Sequence, residues 1–520
     1  MIRDAARILK RYDELKAERS PLEDIWKECY AVSYPLRGVG LYTNSLLDVK
    51  SGWSLAREQQ ARLYDTTVTN ATRLLASSLL SGLTPANSQW FLKTVPNATQ
   101  EERAWLEDAS FVTWKNIHAS NYSEVAFEGL LDAVVTGMFA IFVREGIERP
   151  FEFQLWDLAN LYATSSSRSG AVDTVYYRFS LTAAQALSEY GDAAGAMVME
   201  AASGRPDELF EYVNVIGPRL RVRELELPIA SVTVCCRTRE IVKESGYHEM
   251  PVIIPRLITL PNSPYSQGLV YEALPTAKTL NRLVETVLGS ADMAVAGMWG
   301  AVDDGVLNPK AVKVGPRKII TVASRDSIFP LNPGSDFQVA QWMIQGLQTD
   351  IRKILLSDQL QAQDGPQMTA TEIHVRVDMI RKMLGPNYER LQDEFLRRLV
   401  DRCFNILWRA GVFAQPPESL KGRMSNITYL SPLARAQQME EVQAMERYEM
   451  SLSQMAQLGH PEALDNYNWD LVARRKAELM NVPAMFIVPE QAVAQQRQAR
   501  AEQAQQQQMQ QAAMAEMGNM

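Results

Sequence analysis

The chain has 520 residues, 46% of them hydrophobic and 22% charged, with a formal net charge of −8 and a pI near 5.4. That length allows several layers or domains around a large core, and the acidic balance argues against tight, extensive contact with nucleic-acid phosphates. Four scattered cysteines, Cys29, Cys235, Cys236 and Cys403, exclude a disulfide scaffold and read as reduced packing residues.

The charged, amphipathic N-terminus has no apolar signal core, so synthesis in a reducing cytoplasm is expected. Residues 1–35 read as a helix with Leu, Ile and Trp on one face, broken and restarted at Ser20-Pro21 by a cap and first-turn proline. A second helix is expected over 61–83, with Val68, Leu74, Leu75, Leu79 and Leu80 as its apolar surface and Gly82 as its end. TPANSQWFLKTVP then reads as a turn that exposes Trp90-Phe91, and 100–131 as helix again. The most apolar stretch, LLDAVVTGMFAIFVRE, is too short and too polar to span a membrane.

Between about 132 and 260 the period shortens to that of strands. GMFAIFVREG, FEFQLWDLANLYATSS, VDTVYYRFS, LFEYVNVIGP and SVTVCCRTREIV predict hairpin-scale antiparallel segments, interrupted by one short helix, TAAQALSEYG. Adjacent Cys235 and Cys236 would point to opposite faces of such a strand. Four prolines in MPVIIPRLITLPNSPYSQG rule out a continuous central strand. From Leu269 the pattern is a helix, a compact turn-rich insert, a second helix from SDFQVAQ, a loop, and then a very long helix. Helices on either side of an insert can form a stalk with the insert at its tip.

The long helix opens at QMTATEIHVR. Thr369 or Thr371 can accept first-turn N–H groups, and Thr369 with Glu372 has the spacing of a capping box. Apolar positions then recur at Ile380, Leu384, Tyr388, Leu391, Phe395 and Leu399, and AGVFAQPP stops the pattern near Ala410. Unbroken, this is roughly 60 Å of helix at 1.5 Å per residue, with a kink expected at Gly385-Pro386. A loop-fed helix and a short helical unit follow, and the last thirty residues hold eleven glutamines with few large apolar side chains, which favours a mobile tail.

Little in the chain points to chemistry. VGPRK at 314–318 lacks the spacing and hydroxyl of a phosphate loop. His118, His248, His374 and His460 have no ligand-spaced partners. Asp303-Asp304 beside Gly305 read as a turn, and LGSAD is not a serine-nucleophile motif. No catalytic, cofactor or metal site is expected. The chain reads as a mechanical or structural component.

Four segments in order resemble the head-to-tail connector, or portal, family of short-tailed, T7-like bacteriophages: LYDTTVTNATRLLASSLLSGLTPANSQWF at 63–91, MTATEI at 368–373, LGPNYERLQDEFLRRLVDRCFNIL at 384–407 and YLSPLARAQ at 429–437. The resemblance spans about residues 5–480. It departs at PYSQGLVYEALPTAKTLN, where Ser266 and Leu269 stand in place of an expected glycine and proline.

The resemblance implies an α+β portal fold in a ring oligomer, with long stem and wing helices, a small β-rich clip and a helical crown. By segment it assigns 1–268 to the wing, 269–298 and 336–356 to stem helices, 299–335 to the clip and 357–369 to a tunnel loop. It assigns 370–429 to the long wing helix and its return, 430–490 to the crown, and 491–520 to the tail. Asp358, Gln359, Gln361, Gln363 and Asp364 would then stand at the channel constriction, with no basic residue in that loop. Lys310, Lys313, Arg317 and Lys318 would serve docking or DNA entry at the clip, although a solvated face explains them as well. The implied partners are a homo-dodecamer, transient double-stranded DNA, the terminase large subunit, tail adaptor and nozzle proteins, and the major capsid, scaffolding and internal core proteins. No membrane is implied. The implied place is one capsid vertex of the virion, reached from the host cytoplasm. The competing reading is a non-portal capsid adaptor or scaffold protein.

If Thr369 is the cap, Thr369→Ala costs on the order of 1 kcal/mol locally. Hydrogen exchange at 370–376 should accelerate, and unchanged protection would move the cap to Thr371.

Overall fold

The first helix of the chain, α1 (Ala5–Val32), is shared between two hydrophobic cores. This computed structural model describes residues 4–43, 49–96, 98–146, 148–166, 170–219, 227–296, 298–301, 328–331, 337–358, 384–420, 426–429, 432–458, 460–480, 482, 486–488, 492–500 and 502–503. The N-terminal half of α1 buries Ile8, Tyr12 and Leu15 in one core, and the C-terminal half buries Trp26, Cys29 and Tyr30 in the other. The break expected at Ser20-Pro21 does not occur, and Pro21 sits exposed inside one continuous helix. Anchorage on both sides explains this. Between the two anchors, Arg19 is 1% exposed and donates to the carbonyls of Leu158, Ala159 and Leu161, with its guanidinium 3.8 Å from the Tyr162 ring centroid.

α2 (Val39–Tyr42), α3 (Val49–Ala61) and α4 (Thr67–Leu83) follow. The helix expected over 61–83 therefore starts later. Asp65 Oδ1 accepts from Thr67 N at 2.8 Å and so separates α3 from α4. Gly82 is inside α4, which ends at Thr84 with that residue's N–H on Leu80 O. Trp90 and Phe91 are buried, contrary to the sequence expectation. Phe91 opens β1 (Phe91–Thr94), whose partner strand lies more than 300 residues away, and Trp90 Nε1 donates to His118 Nε2 at 3.2 Å.

The helical stretch after residue 100 is two helices, α5 (Gln100–His118) and α6 (Tyr122–Thr136). A capping box of Thr99 and Glu102 starts α5. The gap between them holds Asn121, which bonds both the N–H and the carbonyl of Phe153.

The strand region is antiparallel, as expected. β2 (Ala140–Glu145) and β3 (Phe151–Trp156) lead to β4 (Leu161–Thr164) and β5 (Thr174–Thr182); α7 (Ala183–Tyr190) and α8 (Ala196–Gly204) intervene before β6 (Leu209–Pro218), β7 (Ile229–Cys235) and β8 (Ile241–Tyr247). The sequence suggested only one of these two helices. β4 to β8 form a five-stranded meander in chain order, and β9 (Val252–Ile253) adds to β2 and β3 in the order β3-β2-β9. α1 covers one face of the meander through Tyr12 and Leu15 on Val213 and Val232, while α7 and α8 cover the other through Ala186 and Val198 on Phe210 and Cys235. Six consecutive residues of β7 are therefore buried. Cys235 and Cys236 do fall on opposite faces. The proline-rich stretch supports only two-residue strands, β9, β10 (Ile258–Thr259) and β11 (Ser266–Gln267).

The remaining elements are α9 (Leu269–Ala296), β12 (Met298–Ala301), β13 (Ile328–Leu331) and α10 (Phe337–Ile354), then helical segments over 386–409, β14 (Asn426–Tyr429), and helices Pro432–Gln457 and Trp469–Leu479. β14 is the partner of β1, so two of the segments that carry the family resemblance meet in one ladder. Residues 492–500 are also helical, and Arg497 pairs with Asp470 at 2.5 Å. The expectation of a mobile tail beyond 503 lies outside the described residues.

Residues 370–383 of the expected long helix lie outside the described residues; from Leu384 on, the chain breaks at Gly385, where only a kink was expected. Gly385 adopts φ +49°, and Pro386 takes the first position of a new helix, Pro386–Leu391. A π-helical turn, Gln392–Arg397, follows before Arg398–Arg409. The predicted stop near Ala410 is a Schellman turn: Val412 N bonds Leu407 O, Gly411 N bonds Trp408 O, and Gly411 has φ +68°. Within the π turn Glu394 accepts from Arg256 N, Nε and Nη2 at 3.0, 3.1 and 2.5 Å, and both residues are buried. Glu394→Ala should cost about 3–5 kcal/mol, because it strands a buried guanidinium. Chemical denaturation would measure this, with the exposed i,i+4 pair Arg397–Asp393 as a control worth under about 1 kcal/mol.

Candidate functional site

α9 and α10 pack along each other, and the β12–β13 antiparallel ladder, Met298 to Leu331 through Ala301 to Ile328, closes their far end. The result is a helical hairpin. Its base is buried: Leu269, Val270, Leu274, Ala277 and Leu280 of α9, with Ile351 of α10 and Leu355 just after it, join the main core, and Ala273 is buried beside them in sequence. Towards the tip burial stops. No described residue of α9 beyond Leu280, nor of α10 before Ile351, is fully buried.

The chain enters α9 through a backbone crossing. Gly137 ends α6 at φ +94°, and a Cβ there would collide with the backbone of Gln267. A Cβ on Gly268 would stand 2.5 Å from Val135 O. Both positions require glycine. Ser266, which departs from the family pattern, is 1% exposed and donates from Oγ to Gly137 O at 2.7 Å. Leu257 N donates to the same carbonyl at 2.7 Å. The hydroxyl thus adds a tie at the root of the hairpin that a glycine would lack.

The turn between α3 and α4 is stitched to both helices of the hairpin. Asn281 of α9 accepts from Tyr64 N at 2.7 Å and Asp65 N at 3.3 Å, and donates to Arg62 O at 2.8 Å. Gln348 of α10 donates to Asp65 Oδ2 at 2.8 Å. Lys278 pairs with Glu28 of α1 at 2.9 Å. Beneath this surface, burial pushes the Cys29 thiol up to about 12, so it stays protonated and unreactive at neutral pH. Sequence reasoning did not single out Asn281, Asp65 or Gln348. One signal was available: asparagine is a poor helix former placed mid-helix in Asn281.

The chain leaves α10 by another Schellman turn, with Ser357 N on Arg352 O and Leu356 N on Lys353 O. Leu356 holds φ +56°, a strained conformation for a residue with a side chain. Ser357 is buried and Asp358 is exposed. Of the residues expected at the constriction, only Asp358 is described. Gln359, Gln361, Gln363 and Asp364, the cap residues Thr369 and Glu372, and the basic Lys310, Lys313, Arg317 and Lys318 lie outside the described residues, as do Asp303, Asp304 and His374.

The chain matches the family model for bacteriophage head to tail connecting protein over residues 5–488. It belongs to that family. Among its relatives, it is 26% identical to the portal protein of Salmonella phage epsilon15, over 95% of this chain and 90% of that one. It is 25% identical to the "Probable portal protein" of Bordetella phage BPP-1, with the same coverage of each chain.

For a connecting protein the relevant features are mechanical. Among the described residues no group of three or more His, Cys, Asp or Glu could hold a metal, and no helix is long and apolar enough to cross a membrane. His118 accepts from Trp90, and burial lowers its basicity. Asn281→Ala removes three hydrogen bonds at a turn that water can reach, at a cost of about 0.5–1.5 kcal/mol. Hydrogen exchange at Tyr64 and Asp65 should accelerate, whereas Thr286→Ala, further along α9 on an exposed position, should leave both amides unchanged.

Proposed function

We propose that this connecting protein is the portal subunit of a short-tailed phage. Twelve copies form a ring at one capsid vertex, and double-stranded DNA passes through it inward at packaging and outward at infection. The observation that carries the reading is the match to the connecting-protein family over nearly the whole chain, joined to a hairpin that is rooted in the body and bare towards its tip. In this reading α9 and α10 are the stem, 299–335 the clip and 357–369 the tunnel loop. The rest of 1–268 with 370–429 is the wing, and 430–490 is the crown. The terminase large subunit docks first at the clip, where Lys310, Lys313, Arg317 and Lys318 lie. Tail adaptor and nozzle proteins replace it, and the wing and crown meet the major capsid, scaffolding and internal core proteins.

A channel for moving DNA must not hold it. Asp358, exposed where the chain leaves α10, and Asp364 give the tunnel loop negative charge and weaken phosphate contact. Purified protein should form a closed ring, roughly 700 kDa for twelve copies of the 58.5 kDa chain. Only monomer in native mass spectrometry across micromolar concentrations and salt conditions would sink the reading. Replacing Asp358 and Asp364 together by Lys should leave rings intact yet slow DNA packaging per prohead, most at low salt, with the Asn pair milder. Equal packaging by all three rings across ionic strength would show that these acids do not face DNA.

A further inference from the structure

The hairpin tip carries two complementary features on opposite sides. On α10, residues 337–349 contain no charged side chain. Within that run Trp342 is 76% exposed, Val339 53% and Met343 45%. Ile344 and Leu347 face inward, and Trp342 lies roughly 160° around the helix from Ile344 at 3.6 residues per turn, so the indole points away from α9. Gly346, one turn on, has nothing within 4 Å of a Cβ position and leaves room beside the ring. On α9, Gly289 is also exposed, with nothing within 4 Å of a Cβ position. It lies about 180° around from the buried Leu280, so it points away from α10. A glycine exposed inside a helix costs about 1 kcal/mol relative to alanine and gains nothing within a single chain.

We propose that Trp342 of one copy packs into the notch at Gly289 of the next copy, and that this contact is a seam of the stem. The contact rests on the ring reading given above and specifies its packing. Three features of the single chain select a second copy as the occupant. The knob and the notch lie on opposite faces of one hairpin, which is the arrangement of a head-to-tail interface that closes into a ring. They also lie at nearly one level: Trp342 is five residues from the tip end of α10 and Gly289 seven from that of α9, about 8 and 11 Å back along the helices. Copies related by rotation about a ring axis present equal levels to one another. Finally, the uncharged run on α10 sets no charge of its own against Glu285 and Asp292, which flank Gly289 at i−4 and i+3, and exposed tryptophan is a large apolar surface that interfaces favour.

The test uses the full chain and compares wild type with W342E, W342F and G289L, reading the protein concentration at half-assembly by mass photometry, with native mass spectrometry for ring size. W342E and G289L should raise that concentration by about tenfold or more, and W342F should stay within about threefold of wild type. Both altered sites are exposed, so folding is preserved. Helicity of the G289L monomer should be equal or higher, because leucine favours helix over glycine. That separates a blocked notch from a damaged fold. Rings of W342E and G289L that assemble at the wild-type concentration would overturn this seam and leave the portal reading standing; such a result would mean that Trp342 meets a different partner. A wild-type chain that forms no ring would overturn both.

Discussion

Where α9 leaves the body, backbone crosses backbone with no space for a side chain. Gly137 at the end of α6 and Gly268 before α9 are held against Gln267 and against Val134 and Val135, and Gly137 O takes two hydrogen bonds, from Leu257 N and Ser266 Oγ. α6 is buried over most of its length in the main core. The direction of the hairpin is therefore set by the core itself and not by a loop. Every other tie, from Asn281 on the α3–α4 turn to Lys278 on Glu28, acts on a helix whose starting point is already fixed.

Two buried guanidinium groups do for the body what this crossing does for the hairpin. Arg19 gathers the carbonyls of Leu158, Ala159 and Leu161 under α1, and Arg256 joins the proline-rich stretch to Glu394 in the π turn. Tyr429 donates to Gln392 O in the same turn, so the helix, the stretch near β10 and the β1–β14 ladder meet there. Charges buried this deeply add little net stability over apolar packing. They do penalise any arrangement that leaves them unpaired, and so favour one register of helix on sheet.

The contrast between base and tip gives the hairpin its mechanical character. Apolar burial is concentrated between Leu269 and Leu280 and again from Ile351 to Leu355, and the side-chain ties of Asn281 and Gln348 lie just beyond these stretches. Among the described residues, the tip has one ladder, β12 with β13, and an exposed apolar face on α10. An element of this kind is rigid where it is rooted and has surface left to give to neighbours.

Much of this was legible in the sequence. Helical period fixed the existence of α1, α4, α9, α10 and the 386–409 segments, alternation marked the antiparallel region, and four prolines correctly excluded a continuous central strand over 250–268. The order helix, insert, helix marked the hairpin, because these signals come from neighbours in the chain and from local backbone sterics. Most of the failures were non-local. Pro21 did not break α1, because cores on both sides hold the helix. Trp90 and Phe91 were not exposed, because their cover comes from α5 and from a strand at 426–429. Gly385 breaks the helical course between Leu384 and Pro386 by adopting a positive φ that no periodicity reports. The root of the hairpin, with Asn281, Asp65 and Gln348, was equally invisible, because each bond joins residues more than 200 positions apart. Sequence by itself determined the elements and the family; which residues bind the hairpin to the body was decided only by tertiary structure, since hydrogen bonds and close packing depend on distance in space and not on separation along the chain.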